Sequence, residues 1–243
     1  MICVFFSRAI NKNVCLLKIE NVSKSFDDKN IIDDISFNVQ SGKIVGLLGK
    51  NGSGKTTILK MINDLLTIDK GSITVDGKKV GIQTKGIISY LPERTYLESS
   101  QTVKDAIKFF EDFYADFDVE RAKTLLKDLD LDINSSLSKM SKGMKEKVQL
   151  VLVMSRRAKL YILDEPLGGV DPSTRDYILK TILSNFGEDS SLIITTHIIS
   201  DIEKILDEAI FIDKGKIIIQ GEADKLREKY NASIDEIFRR EIK

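Results

Sequence analysis

Residues 44–62 read IVGLLGKNGSGKTTILKMI, and this stretch decides the fold. The apolar run 44–48 predicts a buried strand, and the spacing of apolar residues over 56–66 predicts a helix. Between them, residues 49–56 fit G-x-x-x-x-G-K-[ST], whose glycines let backbone N–H groups turn toward phosphate oxygens. A glycine-rich turn can arise by chance, but a strand before it and a helix after it favour a phosphate-binding loop. The stretch therefore predicts an α/β protein that binds a nucleotide.

The side chains of this loop have different expected roles. Lys55 is expected to reach the β and γ phosphates, and the Thr56 hydroxyl is expected to ligate Mg²⁺. We assign the loop and the residue after it to nucleotide binding, namely Gly49, Lys50, Asn51, Gly52, Ser53, Gly54, Lys55, Thr56 and Thr57.

Composition narrows the class of protein further. The chain has 243 residues with 37 basic and 37 acidic side chains, so no overall positive field attracts nucleic acid or anionic lipid. The apolar run 1–6 is shorter than a signal-peptide core, and no stretch reaches the roughly 18 apolar residues that span a bilayer. We therefore expect a cytoplasmic protein in which residues 1–16 form a loosely attached leader. Cys3 and Cys15 have a spacing that suits no metal motif.

The rest of the chain alternates strands with helices, which predicts a mainly parallel sheet. Helices are expected to begin after Thr102, which pairs with Asp105 as a capping box, after Asp118 and after Ser141. These three helices form an insert without a convincing strand, and residues 222–243 suggest one or two short amphipathic helices. Strands are expected at 17–22, 35–39, 44–48, 73–75, 87–91, 160–163, 192–195, 209–213 and 216–220.

Two adjacent carboxylates end the apolar strand in residues 160–166, LYILDEP. Asp164 is suited to Mg²⁺, and Glu165, on the opposite side of the strand tip, could polarise a water for attack on the γ phosphate. The alternative is a solvated strand end that is acidic by chance. Together with the phosphate loop, the pair favours ATP hydrolysis over transfer to another substrate.

Residues 140–147, MSKGMKEK, present an unusual distribution of charge. Ser141 is a good N-cap, yet Lys142, Lys145 and Lys147 stand where the helix macrodipole is already positive. Either these lysines are simply solvated, or a strongly anionic group binds at this end of the helix.

The order of these motifs, phosphate loop, helical insert, MSKGMKEK and LYILDEP, resembles the ATP-binding-cassette (ABC) family from about residue 17 to 221. The resemblance implies a P-loop NTPase core with a mainly parallel sheet, an antiparallel β subdomain and an inserted α-helical subdomain at about 94–158. It further implies an ATPase domain over 17–221, while the residue pattern of 222–243 predicts a short C-terminal helical tail. In that family Ser141 and Gly143 contact the γ phosphate of the ATP held by a second subunit. Lys142 replaces the first glycine of the usual signature.

Further site residues follow from the same resemblance. Phe26 matches the aromatic that stacks on adenine, although it could be ordinary core. Asp171 matches the loop that crosses the dimer interface, although it would also cap a helix. His197 matches the switch residue at the γ phosphate, so the implied catalytic residues are Glu165, His197, Lys55 and Asp171. Glu93 stands where the family usually has a glutamine that contacts Mg²⁺, and unlike an amide it cannot donate a hydrogen bond.

The resemblance implies an ATP- and Mg²⁺-dependent subunit that partners a second ABC ATPase, identical or paralogous, and a separate transmembrane permease. The motif details resemble ATPases of bacterial exporters for peptides, antibiotics or lipids. Such a subunit lies on the inner face of the cell membrane, touches the membrane only through the permease and binds no nucleic acid. The alternatives are a soluble ABC ATPase of the iron–sulfur assembly type and a nucleotide-dependent regulatory switch.

Overall fold

The computed structural model describes residues 14–27, 29–168, 172–186 and 189–242. Strands β1 to β10 span Cys15–Phe26, Lys29–Gln40, Ile44–Gly49, Lys70–Val75, Lys78–Lys79, Ile88–Leu91, Leu160–Asp164, Ser191–Thr196, Glu208–Asp213 and Lys216–Glu222. Helices α1 to α9 span Lys55–Ile62, Ile82–Lys85, Val103–Phe113, Val119–Asp128, Lys142–Met154, Pro172–Asn185, Ile199–Ile202, Ala223–Tyr230 and Ile234–Glu241.

The larger sheet has the strand order β10-β9-β3-β8-β7-β6. Strands β9, β3, β8, β7 and β6 run parallel, and β10 is antiparallel to β9 at one edge. Every residue of β3, β7 and β8 is buried, as expected for a parallel sheet covered on both faces. The carboxyl ends of these strands lie at one edge of the sheet, and ligands of open α/β sheets bind at such an edge.

A second, antiparallel sheet has the order β2-β1-β4-β5. Its β4–β5 hairpin turns through Asp76 and Gly77, both with positive φ, which is typical of a two-residue type I′ turn. The apolar residues of this sheet pack with α1 and with one face of the parallel sheet in a single cluster. The sheet therefore positions Phe26, at the end of β1, beside the phosphate loop.

The inserted region between β6 and β7 consists mainly of α3, α4 and α5, which pack on the other face of the parallel sheet. Arg156 connects this region to the sheet, because its side chain is 2% exposed and forms an ion pair with Asp116. The same guanidinium donates hydrogen bonds to the carbonyls of Gly86, at 2.6 Å, and Ile88, at 2.5 Å. The carboxyl end of α5 is therefore attached to the amino end of β6.

The predicted fold class is confirmed: a mainly parallel sheet, an antiparallel sheet and a helical insert. The capping box of Thr102 and Asp105 and the caps at Asp118 and Ser141 are present. Both tail helices are present as α8 and α9. The short elements β5, α2 and α7 were not predicted, because two to four residues give no periodic pattern.

The predicted end of α1 at residue 66 is wrong. The helix ends at Ile62 because Asp64 adopts a φ of 53°, in the left-handed region that terminates helices. The N–H of Leu65 then donates to the carbonyl of Lys60 at 2.9 Å, which satisfies one of the last carbonyls. The apolar residues that extended the prediction therefore belong to the turn after the helix.

Candidate nucleotide site

The loops at the carboxyl edge of the parallel sheet enclose a cavity of about 1090 Å³. Its wall includes residues from both sheets, from the phosphate loop and from α5. The residues that the sequence predicted and that line it are Phe26, Asn51, Gly52, Gly54, Lys55, Thr56, Thr57, Glu93, Asp164, Glu165 and His197. Positions from residue 26 to residue 197 therefore meet in one cavity.

The phosphate loop connects β3 directly to α1. Gly54 is the residue before α1 and has a φ of 109°, and a Cβ there would approach Ile32 Cδ1 to 2.5 Å. Only glycine fits this position without strain. The loop backbone is closed by a hydrogen bond from the Ser53 N–H to the Lys50 carbonyl, 3.1 Å long. Gly49, Lys50 and Ser53 shape the loop without lining the cavity.

Lys55 lies in the first turn of α1 and is largely buried. Its ammonium donates to the carbonyls of Gly49, at 2.7 Å, and Lys50, at 3.1 Å. Burial lowers the pKa of the Lys55 ammonium, and the nearby carboxylates of Glu165, Asp164 and Glu93 oppose that shift. The cation is therefore held at the loop by hydrogen bonds and by three negative charges.

Asp164 forms the base of the cavity at the end of β7 and is fully buried. Its Oδ2 accepts a hydrogen bond from Thr56 Oγ1 at 2.9 Å, and its Oδ1 accepts one from Thr195 Oγ1 at 2.7 Å. Burial raises the pKa of the Asp164 carboxyl, while the two hydroxyl hydrogen bonds counteract part of the rise. A buried carboxylate that two hydroxyls hold in place is stabilised in its charged form by a nearby cation.

The donor set fits Mg²⁺. Thr56 Oγ1 and an oxygen of Asp164 lie together beside the phosphate loop, and both are hard oxygen ligands of the kind that Mg²⁺ selects. Within the described residues, no group of three or more His, Cys, Asp or Glu side chains is placed to hold a metal by itself. This agrees with an ion that takes one or two protein carboxylates and completes its shell with hydroxyl, phosphate and water oxygens.

Glu165 follows Asp164 and has a φ of 53°, which is unusual for a residue with a side chain. Its N–H donates to Thr195, to the carbonyl at 3.2 Å and to Oγ1 at 3.0 Å. Its Oε2 accepts the His197 N–H at 3.2 Å and lies 2.8 Å from His197 Nδ1. The turn of the backbone thus directs the carboxylate to the end of β8.

Thr195 contacts both Asp164 and Glu165 but was not predicted as a site residue. A signal existed, because β8 reads SLIITT and changes from apolar residues to threonines at its carboxyl end. Gln149 and Glu146, which line the cavity from α5, were not predicted either, whereas Lys142, whose role the sequence left open, also lines it.

The two predicted site residues at the start of α5 also lie outside the cavity wall. Ser141 caps α5 by accepting a hydrogen bond from the Met144 N–H at 3.2 Å, and Gly143 lies in the same exposed turn. A Cβ at Gly143 would meet no atom within 4 Å, so nothing in the described chain requires glycine there. Asp171 lies outside the described residues.

The parallel sheet with a phosphate loop after β3 and an acidic pair at the end of β7 is that of a P-loop nucleoside triphosphatase. The family model described as "ABC transporter" matches residues 32–168. The chain is 31% identical over 218 residues to the ABC transporter ATP-binding protein YtrB of Bacillus subtilis, covering 88% of this chain and 75% of that protein. It is 29% identical over 237 residues to the Nod factor export ATP-binding protein I of Sinorhizobium fredii, covering 94% of this chain and 69% of that protein.

A solved structure described as the ATP binding subunit of an ABC transporter superimposes with a TM-score of 0.85 at 28% identity, covering 92% of this chain and 98% of that one. The chain therefore belongs to the ABC transporter family. It is an ATPase of the kind that couples ATP hydrolysis to transport, and ATP with Mg²⁺ and dimerisation are typical of its family. No helix in the described part of the chain is long and apolar enough to cross a membrane.

Proposed function

We propose that this chain binds and hydrolyses ATP at a site shared between two cassettes and thereby powers export through a separate membrane subunit. The observation that carries the proposal is the grouping of Thr56, Asp164, Glu165 and His197 around the phosphate loop. Ser141 and Gly143, by contrast, do not line that cavity, and we assign them to the site of another copy.

Different residues of the cavity have different roles in ATP binding and hydrolysis. The backbone N–H groups of the phosphate loop and the Lys55 ammonium bind the phosphates, and Phe26 stacks on the adenine. Thr56, Asp164 and Glu93 would hold the metal. When bound, Mg²⁺ would neutralise negative charge on the phosphates.

Glu165 is assigned the role of general base. Its carboxylate is directed by the left-handed backbone and by the two contacts from His197, and it accepts the proton of the attacking water. His197 holds the carboxylate in place and is exposed enough to reach the γ phosphate as well. Asp171 follows this site in the chain and is assigned to the dimer interface.

The second cassette is supported by the first turn of α5. Glycine within a helix costs about 1 kcal/mol relative to alanine, and no neighbour in the described chain explains its presence at 143. The N-terminus of α5, with Ser141 at its cap, offers N–H groups and a positive dipole to an anion. Absence of a side chain at Gly143 lets a phosphate of the partner's nucleotide approach this turn closely.

The membrane subunit is supported by exposed aromatic residues in the helical insert. Phe109 and Phe113 on α3 are 49% and 69% exposed, and their ring centroids lie 4.4 Å apart. Tyr96, in the loop after Glu93, is also exposed and stacks on Phe110 beneath them. A paired, exposed aromatic surface indicates contact with another protein. Export is favoured because the Sinorhizobium fredii relative is described as an export protein.

One experiment tests the membrane partner. The chain is coexpressed with any multispan membrane protein that a neighbouring gene is found to encode, and the complex is purified in detergent. The double variant Phe109→Ser/Phe113→Ser should lose the complex and retain ATP binding. The control is Ile82→Ser, which removes an 89% exposed apolar residue from α2 and should leave the complex intact. A complex that survives the double substitution contradicts this part of the proposal.

A further inference from the structure

Helix α5 contributes three side chains to the nucleotide cavity. Lys142, Glu146 and Gln149 line it at positions i, i+4 and i+7, which form one stripe along a helix. Lys142 and Glu146 lie near the cavity mouth and interact with each other at 3.7 Å. Gln149 lies deeper and is 1% exposed.

The carboxamide of Gln149 has no hydrogen-bond partner for its Nε2 in the described part of the chain. A buried donor left unpaired costs roughly 1–3 kcal/mol. The neighbours of Gln149 on both sides, Val148 and Leu150, are buried and apolar. A polar residue at this position therefore lowers stability unless the cavity supplies an acceptor in another state.

The packing of α5 against β6 locates that acceptor. The Ser89 hydroxyl donates to the Val153 carbonyl at 2.9 Å, and Arg156 attaches the end of α5 to the beginning of β6. The helix therefore runs antiparallel to β6. Gln149 is one turn before Val153, about 6 Å along the helix, and Leu91 is two residues beyond Ser89, about 6.6 Å along the strand. Gln149 thus lies level with the end of β6, where Glu93 follows.

Glu93 is the carboxylate that replaces an amide at this point of the chain. It lines the same cavity, its charge acts on Lys55 and Asp164, and it has no hydrogen bond to another described residue. Glu93 is exposed, so water solvates its carboxylate and no protein donor fixes the orientation of that carboxylate. The unpaired Gln149 donor and the Glu93 carboxylate thus line one cavity from adjacent elements.

We propose that Gln149 is a positioning residue for Glu93. Its carboxamide donates a hydrogen bond to the Glu93 carboxylate when the cavity holds Mg²⁺ and ATP, and so fixes that carboxylate toward the metal. Glu93 supplies a carboxylate, and Gln149 supplies the amide N–H donor that glutamate lacks. This inference rests on the proposed role of Glu93 as a metal contact.

The test uses the full-length chain carrying Glu165→Gln, so that ATP is bound without turnover. Gln149→Met removes the donor and keeps an unbranched side chain of similar size. The Mg²⁺ concentration that gives half-maximal ATP binding should rise about tenfold, the usual effect of losing an outer-shell partner. ATP binding in EDTA should not change. The midpoint of thermal unfolding without nucleotide should rise by about 2 °C or more, because an unpaired buried donor is gone.

A merely structural Gln149 would give the opposite pattern, with a lower unfolding midpoint and an unchanged Mg²⁺ requirement, and that result overturns the proposal. Gln149→Leu repeats the test if the Met variant does not fold. In a Glu93→Ala background, adding Gln149→Met should change the Mg²⁺ requirement less than about twofold, because the acceptor is gone. A full tenfold change there also overturns the proposal.

The same measurements distinguish a failure of the proposed function from a failure of the Gln149 inference. If Glu165→Gln alone shows no Mg²⁺-dependent ATP binding, the proposed function fails. If Glu93→Ala leaves the Mg²⁺ requirement unchanged, the metal contact and this inference both fail. If only Gln149→Met is without effect, this inference fails and the proposed function stands.

Discussion

Glu165 and His197 contact each other twice across the ends of adjacent strands. Glu165 Oε2 lies 2.8 Å from His197 Nδ1 and accepts the His197 backbone N–H at 3.2 Å. Glu165 reaches this position with a φ of 53°, a conformation that costs about 1 kcal/mol or more for a residue with a Cβ. Strain of this kind persists where a fixed orientation is useful, so we assign His197 to holding the proposed base.

His197→Ala should therefore lower kcat by about 10- to 100-fold, because the carboxylate loses its side-chain anchor. KM for ATP should change by less than about threefold, since the phosphate loop is untouched. Steady-state phosphate release measures both. An unchanged kcat would show that the contact does not position Glu165.

Lys55→Ala should weaken ATP binding by at least about 100-fold. The substitution removes the cation that faces Glu165, Asp164 and Glu93 and that is proposed to meet the β and γ phosphates. The matched control is Lys60→Ala, at an exposed position on the same helix, which should leave affinity within about twofold. Equilibrium binding of a fluorescent ATP analogue measures both variants. Equal affinity of the Lys55 variant and the wild type would contradict the phosphate assignment.

Arg156→Met should lower the free energy of unfolding by about 3–5 kcal/mol. The 2% exposed guanidinium pairs with the partly buried Asp116 and donates to the carbonyls of Gly86 and Ile88. Its removal leaves the Asp116 carboxylate without its ion pair and the buried Ile88 carbonyl without this donor. Arg157→Met is the control, because that side chain is 73% exposed and its pair with Asp118 should contribute less than about 1 kcal/mol. Urea unfolding compares the two. Similar losses in both variants would refute the role of Arg156 as the attachment of the insert.

Asp118 caps α4, and its pKa is lowered first by the Arg121 N–H that it accepts and then by Arg157. A lowered carboxyl pKa means that this contribution to stability is complete above the ordinary value of 3.8 and is lost as the pH falls through the lower folded value. Asp118→Ala should cost about 1 kcal/mol at pH 7 and progressively less below about pH 4.

Asp118→Asn serves as the comparison for that prediction. Asparagine retains a capping oxygen and has no charge to titrate, so its stability relative to alanine should not vary with pH. Thermal unfolding of the three proteins between pH 7 and pH 3 gives the result. A difference between Asp118 and alanine that stays constant across this range would contradict the contribution of the Asp118 charge to stability.

The local features of the fold were predictable from the sequence. The phosphate loop, the caps at Thr102, Asp118 and Ser141 and the two-residue turns each depend on a few consecutive side chains. The alternation of strands and helices was sufficient for the fold class. The end of α1 was not predictable from apolar spacing, because the left-handed Asp64 overrides the pattern.

Contacts between residues far apart in the chain could not be predicted from the sequence. Thr56 and Asp164 are 108 positions apart and Glu165 and His197 are 32 apart, so spacing alone does not show that they touch. Gln149 has no motif of its own, and only burial without a partner distinguishes it. The roles assigned to Ser141, Gly143, Phe26 and Asp171 stay predictions, because they require a nucleotide and a second chain.

The central claim is that Ser141 of one copy completes the ATP site of another. Size-exclusion chromatography of Glu165→Gln with Mg²⁺ and ATP tests this claim most directly. The variant should elute as a dimer, because the carboxylate needed to hydrolyse ATP is absent. Adding Ser141→Arg should return it to a monomer, while Thr124→Arg on the exposed face of α4 should not. A Glu165→Gln protein that stays monomeric with saturating ATP, or a dimer that tolerates Ser141→Arg, would contradict the account.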